Sequence, residues 1–93
     1  MKVHNVSYDL RRAGQDYAGL IEELKKSPSW WHHLGSTWLI ATTETALQLW
    51  NRVAPHLDKN DSMLIIEVGD DYSGWFPQEA WDWIKEHIPV RFR

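Results

Sequence analysis

Asp9 is the residue of this sequence best placed for chemistry, because it directly follows a predicted strand that runs from Lys2 to Tyr8. A carboxylate at the end of a central strand is exposed yet rigidly held, and its oxygens suit Mg²⁺. A magnesium ion held there would activate water or stabilise a phosphoryl transition state. The structural alternative is that Asp9 begins a loop and accepts a hydrogen bond from the backbone of Arg11 or Arg12.

The other candidate site residues are a histidine and two arginines. His32 and His33 are neighbours on a predicted strand, so their side chains point to opposite faces and cannot bind one metal ion together. His32 is a candidate catalytic acid or base or a phosphate contact, and the alternative is a hydrogen-bonded histidine of the sheet. Arg11 and Arg12 are candidate nucleic-acid contacts, because their charge suits phosphate.

The composition limits the classes of function. The 93 residues suit a single domain, and 10 Lys and Arg stand against 13 Asp and Glu, for a net charge of -3. A nucleic-acid role therefore needs a local basic patch. The absence of cysteine excludes disulfides and thiolate metal sites and fits a reducing compartment, which predicts a cytoplasmic protein. No segment has the apolar length of a signal peptide or a membrane span, so membrane insertion is not expected.

Aromatic residues are the most unusual part of the composition, with seven tryptophans in so short a chain. Two roles are open to the C-terminal aromatics: stacking on nucleic-acid bases, or packing in the core or at a dimer interface. The packing role is favoured, because buried aromatics dominate core and interface energetics. These residues are Trp75, Phe76, Trp81 and Trp83.

The hydrophobic pattern predicts four strands and three helices. Leu34 and Gly35 form the turn of a hairpin, where glycine supplies backbone freedom. Thr43 is the predicted N-cap of the second helix, and Trp50 is predicted to lie in the core on the apolar face of that helix. The predicted strands span 2–8, 30–33, 37–42 and 63–68, and the predicted helices begin near 16, 43 and 77.

This succession is the ferredoxin-like order β-α-β-β-α-β with an additional C-terminal helix, and it predicts one α+β domain over residues 1–93. In that fold two helices cover one face of an antiparallel sheet, and the first and third strands are central. The third and fourth predicted strands carry apolar residues on both faces, so the second face also needs cover. The third helix or a second subunit could provide it, and we predict a homodimer.

Several short segments carry a family resemblance: Tyr8-Asp9-Leu10, Asp16-Tyr17, Trp31-His32, Ser36-Thr37-Trp38-Leu39 and Glu79-Ala80-Trp81. Together they resemble a family of small bacterial and phage proteins often labelled SinR family. That family is similar in fold to the CRISPR-associated adaptation nuclease subunit and to virulence-associated protein D. The resemblance implies a symmetric dimer in which two metal-linked Asp9 carboxylates face each other. It also implies that a C-terminal segment, here Pro89 to Arg93, adds a strand to the partner's sheet.

Two functions are consistent with these features. The first is a non-catalytic homodimeric module that binds a protein or a nucleic acid through an aromatic surface. The alternative is a Mg²⁺-dependent endonuclease acting on RNA or DNA, with Asp9 as the metal ligand and with Arg11, Arg12 or His32 holding phosphate. The acidic charge balance and the single carboxylate favour the binding module.

Overall fold

The computed structural model describes residues 1–11 and 17–88, and these form an α+β structure with a four-stranded antiparallel sheet and three α-helices. The strands are ordered β2-β3-β1-β4, which confirms the prediction that the first and third strands are central. None of the described helices is both long and apolar enough to cross a membrane. The elements are β1 (Lys2–Asp9), α1 (Ala18–Lys25), β2 (Ser29–Leu34), β3 (Thr37–Thr42), α2 (Ala46–Val53), a 3-10 helix (Ala54–His56), β4 (Ser62–Glu67) and α3 (Gln78–His87).

The larger hydrophobic core lies between one face of the sheet and the helices α1 and α2. Val6 of β1 and Trp38 and Ile40 of β3 are fully buried there, as alternate residues of a strand are when one face is covered. Each helix contributes a buried pair spaced four residues apart, which places both members on one helical face. The pairs are Leu20 with Leu24 and Leu49 with Val53.

A smaller core lies on the opposite face of the sheet, under α3. Ile84 and Ile88 pack there with Val3 and Ala41, which alternate along their strands with residues of the larger core. The spacing of Ala80, Trp81, Ile84 and Ile88 in the sequence predicts one apolar face on this helix, and the burial of Ala80, Ile84 and Ile88 confirms it. This helix is one of the two covers that the sequence pattern allowed for the second face.

α3 leaves the β4 end of this face uncovered. Leu64 and Ile66 of β4 pair with Ser7 and Asn5 of β1, so their side chains lie on the α3 side of the sheet. Leu64 is 59% exposed and Ile66 is 54% exposed. Both faces of β4 are apolar, but the described chain buries only part of one of them.

The first turn of α2 begins two residues later than predicted. Thr45 is the N-cap in place of Thr43, and its hydroxyl accepts a hydrogen bond from the Gln48 backbone N–H at 3.1 Å. In return, the Gln48 side-chain oxygen accepts one from the Thr45 backbone N–H at 2.8 Å. This capping box satisfies two N–H groups, whereas a lone threonine cap satisfies only one.

The prediction that Trp50 lies in the core is wrong, because its side chain is 39% exposed. Apolar residues on α2 form two overlapping faces, and the sequence does not distinguish between them. Leu49 and Val53 join the core that α1 shares, which leaves Trp50 at the margin and Leu47 66% exposed. A wide apolar stripe locates a buried face without fixing its centre.

The hairpin turn between β2 and β3 does not require glycine. Gly35 lies outside the positive-φ range that favours glycine, and a Cβ atom there would meet no atom within 4 Å. We expect Gly35→Ala to raise the free energy of unfolding by about 0.4–1 kcal/mol, because alanine lowers the conformational entropy of the unfolded chain. Urea unfolding followed by tryptophan fluorescence measures this, and a less stable variant would contradict it.

Candidate functional site

Asp9 ends β1 opposite Ser62 of β4, and its side chain is 61% exposed. Its Oδ2 atom lies 2.9 Å from Nε and 2.8 Å from Nη2 of Arg11. The carboxylate is therefore held in an exposed ion pair, a type of contact that contributes little to stability. Of the two backbone bonds predicted as alternatives for Asp9, the one from Arg11 is wrong, since that N–H donates to Asp61 Oδ1 at 2.9 Å, and the one from Arg12 lies outside the described residues.

Asp61 performs the structural role that the sequence suggested for Asp9. Its Oδ1 atom also accepts a hydrogen bond from the Tyr17 hydroxyl at 2.7 Å, and its Oδ2 atom accepts one from the Asp58 N–H at 2.8 Å. One carboxylate thus joins the end of β1, the start of α1 and the turn before β4. The polar run from 58 to 61 predicts a turn, but it does not indicate these long-range partners.

His32 is engaged in the hairpin and not with Asp9. Its Nε2 atom lies 2.9 Å from the Gly35 carbonyl oxygen, to which it donates, and its ring stacks on Trp38 at 4.0 Å. His33 contacts Phe76 on the other side of the sheet, as the strand alternation predicted. The contacts of the described chain therefore support the sheet-histidine alternative for His32.

A metal ion at Asp9 would need ligands that the described chain does not gather. Within residues 1–11 and 17–88, no group of three or more His, Cys, Asp or Glu could hold a metal ion. A magnesium ion would also have to compete with Arg11 for the carboxylate. Arg12 and the segment 89–93 lie outside the described residues, so their predicted phosphate contact and strand stay predictions.

A cavity of about 310 Å³ lies on the α3 side of the sheet, against α3 and the segment that joins β4 to α3. Its volume is at the lower end of the range for small-molecule sites. Aromatic and aliphatic residues form most of its wall: Tyr72, Trp75, Phe76, Trp81, Leu34, Leu39, Val68, Ile84 and Ile88. The sequence pointed to these aromatics but not to the cavity.

Trp81 of α3 organises the aromatic wall. The Tyr72 ring stacks on it with centroids 6.0 Å apart, and the Phe76 ring meets it at 5.6 Å in a tilted arrangement. Trp75 lines the same cavity and is 99% exposed. The rings around Trp81 are therefore held in contact with each other, whereas the Trp75 side chain remains almost fully exposed in the folded chain.

Polar groups in the cavity are few and uncharged. The Ser7 hydroxyl donates to Asn5 Oδ1 at 2.8 Å, and no hydrogen bond within the described chain engages the Asn5 amide nitrogen. Thr37 and Ser73 add hydroxyl groups. No described Lys or Arg lines the cavity, so it lacks the positive charge that phosphate groups require.

Arg52 forms a charged network between α1 and α2, away from the cavity. Its Nε and Nη2 atoms donate to the Glu44 carboxylate at 3.1 and 2.9 Å, and Nη1 donates to the Glu23 carboxylate at 3.2 Å. The Glu23 carbonyl oxygen accepts a further bond at 2.6 Å, and Ser27 Oγ accepts one at 2.8 Å. No local sequence pattern indicates this network, because its members are up to 29 residues apart.

This network shifts the pKa of both glutamates in the same direction. Burial opposes ionisation of Glu23, but the hydrogen bond from Arg52 and the charge of Lys26 outweigh it, so the pKa is lowered. The hydrogen bond from Arg52 is the main cause of the lowered pKa of Glu44, against the opposing effect of burial. Both carboxylates pair with Arg52, so a structural ion-pair network accounts for their lowered pKa values.

Comparison with protein-family models, curated proteins and solved structures gives no match. The resemblance to the SinR-labelled family therefore stays a prediction. Two candidate binding surfaces lie on the α3 side of the sheet, namely the aromatic cavity and the uncovered part of β4.

Proposed function

We propose that this protein is a non-catalytic homodimeric binding module with a ferredoxin-like fold. The strand order β2-β3-β1-β4 and the succession β-α-β-β-α-β support the fold assignment, and α3 is then the added C-terminal helix. The aromatic cavity is its binding site. The single observation that carries this proposal is Trp75, which lines a largely apolar cavity while 99% of its own surface is exposed.

The cavity chemistry favours a protein segment as the ligand over a nucleic acid. Single-stranded nucleic acids bind where aromatic platforms combine with basic residues, and no described basic residue lines this cavity. An aromatic or aliphatic side chain would bury Trp75 against Trp81, and the Asn5 amide would donate to a backbone carbonyl of the ligand. The ligand class is therefore a short protein segment with one large apolar anchor.

A peptide library displayed on phage tests this proposal with the intact protein as bait. We expect enriched peptides to share an aromatic or branched aliphatic residue. Trp75→Ala should weaken them about thirtyfold, since a hot-spot tryptophan contributes about 2 kcal/mol or more. Trp30→Ala is the matched control, because Trp30 is partly exposed on the opposite face against Trp38.

Labelled single-stranded RNA and DNA oligonucleotides form the second arm of that experiment. We expect no binding at physiological salt. If peptides bind the Trp75→Ala variant with the same affinity as the parent, the cavity is not the binding site. If an oligonucleotide binds the parent tightly and does not bind Trp75→Ala, the ligand is a nucleic acid and not a protein segment.

The endonuclease alternative depends on Asp9, whose exposure at a strand end supports it. Asp9→Asn should lower the free energy of unfolding by no more than about 1 kcal/mol, because both side chains of the Asp9–Arg11 ion pair are exposed to solvent. Thermal unfolding measures this, and incubation of RNA and DNA with Mg²⁺ measures cleavage. We expect no cleavage by the parent protein. Cleavage by the parent that a folded Asp9→Asn variant lacks would establish the endonuclease in place of the binding module.

A further inference from the structure

β4 is an edge strand with only one of the features that usually prevent edge pairing, the charged Glu67 at its end. Its sequence from Ser62 to Glu67 contains four consecutive apolar residues and no proline, lysine or arginine. Natural proteins commonly protect such an edge with charges, prolines or bulges. The other edge, β2, carries an irregularity in its pairing between Trp31 and Leu34. β4 is therefore the edge better suited to accept another strand.

The outer backbone groups of β4 can be assigned from one hydrogen bond. The Val68 N–H donates to the Val3 carbonyl oxygen at 2.8 Å. Antiparallel strands direct these groups alternately to the two sides, so every second residue before Val68 also faces β1. The N–H and C=O groups of Met63, Ile65 and Glu67 consequently face outward, and no described backbone group pairs with them.

Apolar side chains flank this edge on both faces of the sheet. On the α2 side, Leu47 is 66% exposed and Trp50 is 39% exposed, and they border a groove of about 240 Å³ against β4. On the α3 side lie Leu64 and Ile66, both more than half exposed. The exposed surface thus surrounds the unpaired backbone, which is the arrangement of a strand-pairing interface.

We propose that two copies of this chain pair their β4 strands antiparallel about a twofold axis to form one eight-stranded sheet. This inference rests on the homodimer of the proposed function and assigns its interface. A twofold axis perpendicular to the sheet keeps like faces together, so α2 meets α2 of the partner subunit and closes the grooves beside Trp50. Pairing of this kind is self-complementary and stops at two copies, because each copy uses the same edge.

Charge and hydrogen bonding select one register. With Ile65 on the axis, Ile65 pairs with Ile65 of the partner subunit and Met63 pairs with Glu67 of the partner subunit, so every outward residue has a partner. With Leu64 on the axis, Glu67 would face Asp61 of the partner subunit, which places like charges opposite each other. With Ile66 on the axis, Met63 would lie opposite Gly69 of the partner subunit, which is beyond the end of β4, so fewer strand residues would pair. The register with Ile65 on the axis is therefore favoured, and it sets Leu64 opposite Ile66 of the partner subunit.

This dimer separates the two strand-end aspartates. Asp9 lies opposite Ser62, three residues from the axis, and two β4 strands separate the two β1 strands. Strand rise and spacing then place the two Asp9 carboxylates on the order of 25 Å apart, too far to share a metal ion. The β4 dimer and a paired-aspartate endonuclease are thus mutually exclusive arrangements of the same chain.

Light scattering of the full chain over a range of concentrations tests the interface. We expect a species of twice the 11.0 kDa mass of one chain. The double variant Leu64→Lys with Ile66→Lys should be a monomer, because it sets lysines opposite each other across the axis. Leu34→Lys is the matched control at the other sheet edge, where the side chain is also exposed, and it should remain a dimer.

A charge swap tests the register. Leu64→Lys with Ile66→Glu sets opposite charges across the axis when Ile65 is central, so this variant should dimerise again. With Leu64 central, the same variant would place lysines opposite each other and stay monomeric. A monomeric parent overturns the inference, as does a dimer that survives the double lysine variant. Peptide binding by a monomeric parent would leave the cavity proposal standing while removing the dimer.

Discussion

Replacing Trp38 with alanine is expected to lower the free energy of unfolding by about 3–5 kcal/mol, the range of large-to-small aromatic substitutions in cores. Trp38 is fully buried on β3, stacks on His32, and donates from Nε1 to the Tyr8 hydroxyl at 3.0 Å. Alanine would leave a cavity beneath α1 and α2 and would deprive the Tyr8 hydroxyl of its donor. Chemical unfolding followed by far-ultraviolet circular dichroism measures the loss independently of tryptophan emission.

Trp75→Ala is the control for that result, because it removes the same atoms from a side chain that is 99% exposed. Surface substitutions of this kind usually change stability by no more than about 0.5 kcal/mol. Comparing the two variants therefore separates the effect of burial on stability from the effect of removing a tryptophan side chain. Equal losses at both positions would contradict the assignment of Trp38 to the core.

Replacing Arg52 with methionine is expected to lower the free energy of unfolding by about 1.5–3 kcal/mol, the range for hydrogen bonds to charged groups, because it leaves two partly buried carboxylates without their donor. Glu23 and Glu44 would keep their burial and lose the guanidinium group that satisfies both carboxylates. Arg52→Lys is the matched control, since it retains the charge but cannot donate to two carboxylates in the same geometry. In urea unfolding, the free energy of unfolding should be highest for the parent, lower for the lysine variant and lowest for the methionine variant.

The effect of pH gives this prediction a second test. Both glutamates have lowered pKa values in the folded state, so their stabilising contribution is complete above the ordinary value of 4.5. It is lost as the pH falls through the lowered folded-state values, where the carboxylates become neutral. The difference in stability between the parent and Arg52→Met should therefore shrink below pH 4.5. A difference that does not depend on pH would indicate that lost packing, and not lost charge pairing, is the cause.

Local patterns predicted the strands and helices because those patterns are carried by neighbouring residues. Runs of β-branched, aromatic and other apolar residues placed Val6 and Trp38 on the correct strands, and the spacing of Ile84 and Ile88 located the buried face of α3. The same logic failed for Trp50, where two overlapping apolar faces compete and only the position of α1 decides between them. Which face of a helix is buried is a tertiary property.

The candidate sites depended still more on contacts between distant segments. Asp9 and Asp61 are both aspartates beside turns, and only the folded chain shows that Asp61 accepts the Arg11 N–H. The aromatic cavity joins Asn5 in the first strand to Tyr72 and Trp81 near the end of the described chain. No local pattern encodes such a combination, although the tryptophan excess indicated that aromatic surface would be used.

The sheet separates two hydrophobic layers that share no side chain, and this has a consequence for how the molecule opens. Among the described residues, the cluster under α3 is formed by Val3, Ala41, Ile84 and Ile88, whereas the cluster under α1 and α2 is larger. Cooperative units with fewer buried contacts open at lower free energy. Amide protons of α3 should therefore exchange with solvent through a partial opening that leaves the larger layer intact. A ligand held between α3 and the sheet would suppress that opening, so binding and the local order of the C-terminal helix would be coupled without any change in the rest of the fold.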